Sequence, residues 1–280
     1  MSALLDRAVV EPVPTPFRCL APRAVMLAAL LCGPVAAAPA PDVGAPVPGE
    51  KSPSPQRLIL PAPTGSAAVG TLKFELPADR RLVVQVWYPA DRPATCMHLP
   101  YMDARTAHAK TGDGEAPRAD LSLAVGVNAC VGATPVSSGA PLPVVLFSHG
   151  MGATRFSYQS LYEDLASRGY AVVAIQHPSG SRYTAYADGS FSTFDAEAWY
   201  TADETERQRR MNRQLEEWLA DGRAVLVRLE RLKAADSDGV HSDALGPLAG
   251  RLDLAHVGYA GHSFGGTTAM LAAKSDPRIR

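Results

Sequence analysis

Toward its end the sequence carries Gly261-His262-Ser263-Phe264-Gly265-Gly266. A serine with glycine two residues away on either side is the spacing of a sharp strand-to-helix bend. Gly261 and Gly265 let the strand and helix pass close together, and Gly266 keeps the crossing tight. Ser263 is then forced into a sparsely populated backbone conformation that lifts its hydroxyl above the sheet. Such a hydroxyl can attack an ester carbonyl and carry the acyl group as a covalent intermediate. The oxygen that becomes negative needs two backbone N–H donors aimed at one point. Phe264, just after the serine, supplies one. A glycine-rich loop after an earlier apolar strand, Ser148-His149-Gly150-Met151-Gly152, offers the other, with Met151 N–H as the candidate.

A nucleophile of this kind needs a histidine to take its proton and an acid to orient that histidine. His262 adjoins Ser263, but the bend splays neighbouring side chains apart. His149 lies beside the glycine-rich loop and is expected to brace it. His177 ends a strand on the catalytic side and is the best internal candidate; His149 and His177 are also candidates for the pocket lining. His241 and His256 fall at the far edge of the sheet, and His98 and His108 in a surface excursion. Asp276, the nearest acid downstream, is carried about 15 Å from the bend by an intervening helix and is rejected. The acid and histidine are therefore expected beyond Arg280, with "DPRIR" read as the approach to another parallel strand. On that reading the 280-residue chain turns over very slowly, as a fragment or an inactive relative would. The histidines show no metal spacing such as H-E-x-x-H, so neither metal nor cofactor is expected.

The elements that must position these residues are legible as hydrophobic patterns. Residues 71–90 read as a β-hairpin, with the β-branched and aromatic run Leu82–Tyr88 as its second strand. Residues 91–141 form a surface excursion with one short helix near 119–126. "PVVLFSHG" is a buried strand, Val144 to Phe147. "YQSLYEDLASRG" is a helix with Leu161, Leu165 and Ala166 on one face and Gly169 as its stop, and "YAVVAIQH" is a further buried strand. Strand, helix and strand make a parallel unit. A long helix follows from Thr201 to Lys233, with a break expected near Gly222. Arg207 to Arg210 read as its solvated face, not as a basic patch. "LAHVGYA" is a third strand leading into the bend, and "TTAMLAAKS" the helix after it.

Composition sets the outer limits. The chain is 46% apolar and 20% charged with a formal net charge of −1, which permits a sizeable core and gives no electrostatic reason to expect nucleic acid. No apolar run reaches the ~20 residues of a membrane span. Residues 1–38 read as a secretory signal: Arg18 and Arg23, then "AVMLAALLCG", then "VAAAPA". Residues 39–56 are a Pro/Ala-rich linker, and 57–280 the folded domain. Export to the periplasm or medium is expected. Cys96 and Cys130 are either a disulfide closing the excursion or two separate buried thiols.

The run "PVVLFSHGMGATRFSYQSLYEDLASRGYAVVAIQHPSGS", the long helix, "VGYAGHSFGG" and "WYPA" (Trp87 to Ala90) together resemble the platelet-activating-factor acetylhydrolase family and the bacterial hydrolases described as predicted dienelactone hydrolases. The resemblance covers residues 70 to 280. It implies an α/β-hydrolase fold, a mostly parallel sheet flanked by helices and incomplete at the C-terminus. It implies hydrolysis of esters with short or truncated acyl groups, small-molecule or lipid, without metal. Lactones and polyesters stay open as substrates. By position, Ser263 matches the nucleophile, and Met151 and Phe264 match the oxyanion donors.

Overall fold

The computed structural model describes residues 58–77, 80–104, 106, 125–137, 139–194, 196–200, 203–235 and 245–280. The expected leader (1–38), the linker (39–56), most of the helix expected near 119–126, His108 and His241 lie outside the described residues. Six strands form one sheet: β1 (Ala68–Leu76), β2 (Leu82–Ala90), β3 (Cys130–Val131), β4 (Leu142–Ser148), β5 (Ala171–Gln176) and β8 (Leu252–Gly261), in the order β3-β1-β2-β5-β4-β8. β2 runs antiparallel to both neighbours, whereas β4 is parallel to β5 and to β8. The expected hairpin is β1–β2, in continuous register from Ala68 opposite Ala90 to Leu76 opposite Leu82. A small second hairpin, β6 (Tyr183–Ala185) with β7 (Phe191–Thr193), follows β5.

Helices cover both faces, as they must when the central strands are apolar on both sides. On one face α1 (Gln159–Ser167) packs Tyr162 and Ala166 against Trp87, Phe147 and Val172. The spacing had put Leu161 on this buried face; it is exposed instead. Tyr162 takes the space, its ring 4.9 Å from that of Trp87 and 5.0 Å from that of Phe147. Glu163 is buried beside it because the backbone N–H groups of Asn128 and Ala129 donate to its carboxylate. On the other face lie α3 (Glu204–Ala235) and α4 (Phe264–Ser275), with α2 (Ala196–Trp199) as a short preceding turn. Val225, Leu226, Leu229 and Leu232 of α3 pack on Val144, Leu146, Val173 and Ile175. The cations of Arg207, Arg209 and Arg210 pair with Glu204 and Glu206 on the solvent side.

The break expected near Gly222 does not occur: α3 runs unbroken through it. A β-carbon at Gly222 would come within 3.0 Å of the Tyr259 ring, so the glycine serves helix-to-sheet contact and not a turn. The excursion is tied down at two points. Cys96 and Cys130 form a disulfide with 5.2 Å between their Cα atoms, which fixes the edge strand β3. Asp103 pairs at 3.0 Å with the buried Arg155, whose Nε donates to Gln85. At the opposite edge Ile279 makes a parallel bridge to Val257, and Arg280 N–H donates to the Val257 carbonyl at 2.9 Å. Residues 279 and 280 thus occupy the start of the next strand position beside β8.

Candidate active site

β8 ends at Gly261, α4 begins at Phe264, and Ser263 caps that helix at φ 53°, ψ −117°. It is the one non-glycine residue with positive φ among those described. An L-residue is held there only when its surroundings leave no alternative. Those surroundings are backbone. A β-carbon at Gly261 would lie 2.4 Å from the Gly265 carbonyl carbon, and one at Gly265 only 2.2 Å from the Ser148 carbonyl oxygen. The helix start is therefore pressed against the ends of β4 and β8, and the chain between must bend sharply. His262 N–H donates to the Ser148 carbonyl at 3.2 Å, locking bend to strand. Ser263 is exposed, and no hydrogen-bond partner of its hydroxyl is found among the described residues.

The glycine-rich loop meets this bend. A β-carbon on Gly150 would stand 3.5 Å from Ser263 Cβ and 2.9 Å from His262 Nδ1. The Gly150 carbonyl accepts the Nδ1–H of His149 at 2.7 Å and the Ala153 N–H at 3.0 Å. In a trans peptide C=O and N–H point opposite ways, so pinning this carbonyl turns the Met151 N–H outward, away from His149. Gly152, at φ 74°, continues the loop with its N–H on the Gly180 carbonyl at 2.7 Å. Among the described residues neither the Met151 nor the Phe264 N–H has an acceptor, and both residues are half-buried. Phe264 N–H belongs to a first helical turn, where donors have no partner within the helix.

His149 and His177, the candidates for lining the pocket, are both fully buried and face no open space. His149 lies under the loop. Its Nε2 accepts the Ser181 hydroxyl at 2.8 Å and the His177 N–H at 3.2 Å, which leaves the proton on Nδ1 for Gly150. Burial first, then the neighbouring His177, pushes its pKa down to about 3, so the ring is neutral. His177 does not reach the elbow hydroxyl. Its Nε2 is 2.8 Å from Ser148 Oγ and its Nδ1 2.8 Å from Asp221 Oδ2, while its ring stacks at 3.9 Å on Trp218. His262 is exposed, its ring 5.6 Å from that of Tyr158. Asp276 pairs with Arg278, away from the bend. His256 is engaged by Asp253 at 2.6 Å.

Sequence reasoning missed Ser148 and Asp221 as partners of His177, and Tyr259 as a partner of Ser148. A signal existed for Asp221. It sits three residues after Trp218 and four before Val225, on the apolar stripe of α3, where a carboxylate implies a buried partner. Beside the loop, Phe194 lies within 4 Å of where a Gly152 β-carbon would be, and Trp199 meets the Phe264 ring edge-on at 5.7 Å. These two aromatics wall a cavity of about 380 Å³ whose polar side includes Arg210, Arg213 and Gln214. The described residues hold one three-donor cluster suited to a metal, Cys96, His98 and Cys130, and both sulfurs are committed to the disulfide. No helix among them is long and apolar enough to cross a membrane.

Comparison with known proteins agrees with this architecture. The family model "Platelet-activating factor acetylhydrolase, isoform II" matches residues 54–280. Platelet-activating factor acetylhydrolase of Cavia porcellus is 30% identical over 153 residues, 52% of this chain and 35% of that protein. The Canis lupus familiaris protein of the same name is 30% identical over 162 residues, again 52% of this chain and 35% of its own length. A ferulic acid esterase from Streptomyces cinnamoneus is similar in structure, with TM-score 0.61 and 27% identity over 80% of this chain and 60% of that one. The match thus spans about a third of the length of the curated relatives.

Proposed function

Because the chain belongs to the platelet-activating factor acetylhydrolase isoform II family of esterase-type hydrolases, we propose that Ser263 is the nucleophile of a carboxylic ester hydrolase working through an acyl-serine. The observation that carries this reading is the exposed, strained Ser263 against a glycine loop, with two unsatisfied N–H groups flanking it. In the reaction Ser263 Oγ attacks the ester carbonyl, and the carbonyl oxygen becomes an alkoxide. The Met151 and Phe264 N–H groups receive that charge without reorganising, the property that makes such donors effective. Collapse of the tetrahedral adduct expels the alcohol and leaves the acyl group on Oγ. Water then attacks the acyl-serine and releases the acid.

The proton of Ser263 needs an acceptor, and the described histidines are engaged elsewhere or exposed without contact to it. We assign that role to a histidine, oriented by an acid, from sequence following Arg280. Ile279 already pairs in parallel with Val257. A strand continued from there would draw level with Gly261 after roughly four more residues, at 3.3 Å rise each, and so end at the catalytic edge of the sheet. The short acyl or phospholipid ester implied by the family is the proposed substrate class, with the Phe194–Trp199 cavity taking part of it. A secreted or periplasmic setting suits both this class and the Cys96–Cys130 disulfide.

The test is a fluorophosphonate probe, with the adduct located by peptide mapping. Labelling of Ser263 supports the reading. Labelling elsewhere, or equal labelling of Ser263→Ala, refutes it.

A further inference from the structure

Beneath the elbow lies a buried serine–histidine–aspartate arrangement. Ser148 Oγ is 2.8 Å from His177 Nε2, and His177 Nδ1 is 2.8 Å from Asp221 Oδ2. Tyr259 OH reaches the same Ser148 Oγ at 2.8 Å. Ser148 and His177 are fully buried and Asp221 is only 4% exposed. The order of groups is that of a nucleophilic triad, yet no ester carbonyl can reach a hydroxyl with no exposed surface. Its use must be something other than attack.

The proton positions follow from donor and acceptor chemistry. An ionised Asp221 only accepts, so His177 Nδ1–H donates to it. Nε2 of the neutral ring is then an acceptor and takes the Ser148 hydroxyl proton. Ser148 Oγ keeps a lone pair for the Tyr259 hydroxyl. The chain runs Tyr259 to Ser148 to His177 to Asp221, with each of these three contacts used once in a single direction. It joins the end of β4, the residue after β5, the middle of α3 and β8.

We propose that Asp221, His177, Ser148 and Tyr259 form a positioning chain that holds the end of β4, and with it the oxyanion loop, in register with the elbow. This proposal rests on the reading of Ser263 as nucleophile. Ser148 is the residue the elbow sits on: its carbonyl accepts His262 N–H and is the nearest atom to a Gly265 β-carbon position, at 2.2 Å. Three residues further on is Met151. A shift of Ser148 moves the Met151 N–H relative to Ser263, and reacting groups misplaced by about 1 Å lose on the order of 10²-fold in rate. Four polar groups occupy a site that hydrocarbon could fill, and burying them is tolerable only when each is satisfied. His177 is also clamped from the side by Trp218, whose ring meets that of Phe264 edge-on at 4.9 Å. Both oxyanion donors therefore lean on the same buried imidazole.

The charged and titratable groups facing the pair are few. Arg80, from the β1–β2 turn, reaches Asp221 at 3.3 Å and also pairs with Glu217. His149 meets the His177 ring edge-on at 5.4 Å, and Tyr259 closes the far end. Burial, opposed by Arg80, raises the Asp221 carboxyl to about 7, and burial with Arg80 holds His177 neutral.

The experiment compares the chain, joined for the labelling measurements to the sequence supplying its histidine and acid, with Ser148→Ala, Asp221→Asn and Tyr259→Phe. Amide NMR reports on Met151 and Phe264, imidazole NMR on His177, and fluorophosphonate kinetics on Ser263. We expect His177 as the Nδ1–H tautomer, with the Met151 and Phe264 amide resonances displaced in Ser148→Ala and Asp221→Asn. Labelling of Ser263 falls tenfold or more in both. The wild-type labelling rate rises through about pH 7, and Asp221→Asn flattens that rise, which a loss of packing alone would not do. Tyr259→Phe removes one hydroxyl and little volume, and gives the same amide displacement should Ser148→Ala fail to fold. The proposal is overturned by an Nε2–H tautomer, by unmoved Met151 and Phe264 amides, or by wild-type labelling in folded variants. A wild-type chain that stays unlabelled when joined to the sequence supplying its histidine and acid counts against the Ser263 reading alone, and the tautomer and amides still decide this one.

Discussion

Gly150 and Ser263 are so close that a single methyl group on the glycine would lie 3.5 Å from Ser263 Cβ and 2.9 Å from the imidazole of His262. The oxyanion loop and the elbow are thus packed backbone to side chain, with no side chain from the loop between them. Gly150→Ala should push the His262 imidazole aside and leave Ser263 Cβ in ordinary contact, so acylation of Ser263 should slow by far less than the ~10²-fold loss of one oxyanion donor. The melting temperature should change by only a few degrees, since His262 is exposed and can swing away. Labelling kinetics beside a thermal melt check this.

The backbone of Ser263 makes a second expectation. At φ 53°, ψ −117° an L-residue is strained, at a cost of about 1–3 kcal/mol. Ser263→Gly should therefore be more stable than Ser263→Ala by about 1 kcal/mol in chemical denaturation, although both abolish labelling. Equal stability of the two would mean that the strain is absent in solution.

Acid should unfold the protein through its buried histidines. His149 is held down to about 3 from an ordinary value near 6.5, and His177 is lowered in the same sense. A depressed histidine contributes stability above pH 6.5 that is lost as pH falls toward its folded value, because the unfolded chain binds the proton first. Asp221, raised to about 7, works the opposite way and gains a proton on folding between pH 7 and about 4. Two lowered histidines against one raised carboxylate leave stability falling as pH drops below about 6.5. His149→Asn keeps a donor for the Gly150 carbonyl and should remove much of that slope. Urea midpoints measured at several pH values test it.

The Cys96–Cys130 bond, 34 residues apart in sequence, closes the excursion onto β3. The chain-entropy estimate for such a loop is about 4 kcal/mol. Reduction, or Cys96→Ser with Cys130→Ser, should lower the melting temperature by roughly 8–15 °C. Reactivity of Ser263 should persist below the transition, since the bond lies at the opposite edge of the sheet from β8.

Much of this architecture was legible because it rests on patterns local in sequence. The apolar runs at 144–147, 171–176 and 254–260 could only be buried strands once a helix separated the first two. The elbow was legible because its glycines have one steric purpose. What escaped depends on contacts between distant residues. Gly222 reads as a helix breaker until Tyr259 is seen to need its missing side chain. Leu161 reads as core until Tyr162 claims the space between Trp87 and Phe147. His177 was placed on the catalytic side, but nothing around it in the sequence points to Ser148 or Asp221. The β6–β7 hairpin carries a local signal of its own, the Asp188-Gly189 turn.

Where an electrophile lands tests Ser263 as the nucleophile most directly. A fluorophosphonate should form its adduct on Ser263, and Ser263→Ala should remove that adduct while leaving the fold intact. An adduct on any other residue, or a wild-type protein that stays unmodified when joined to the sequence supplying its histidine and acid, would contradict it.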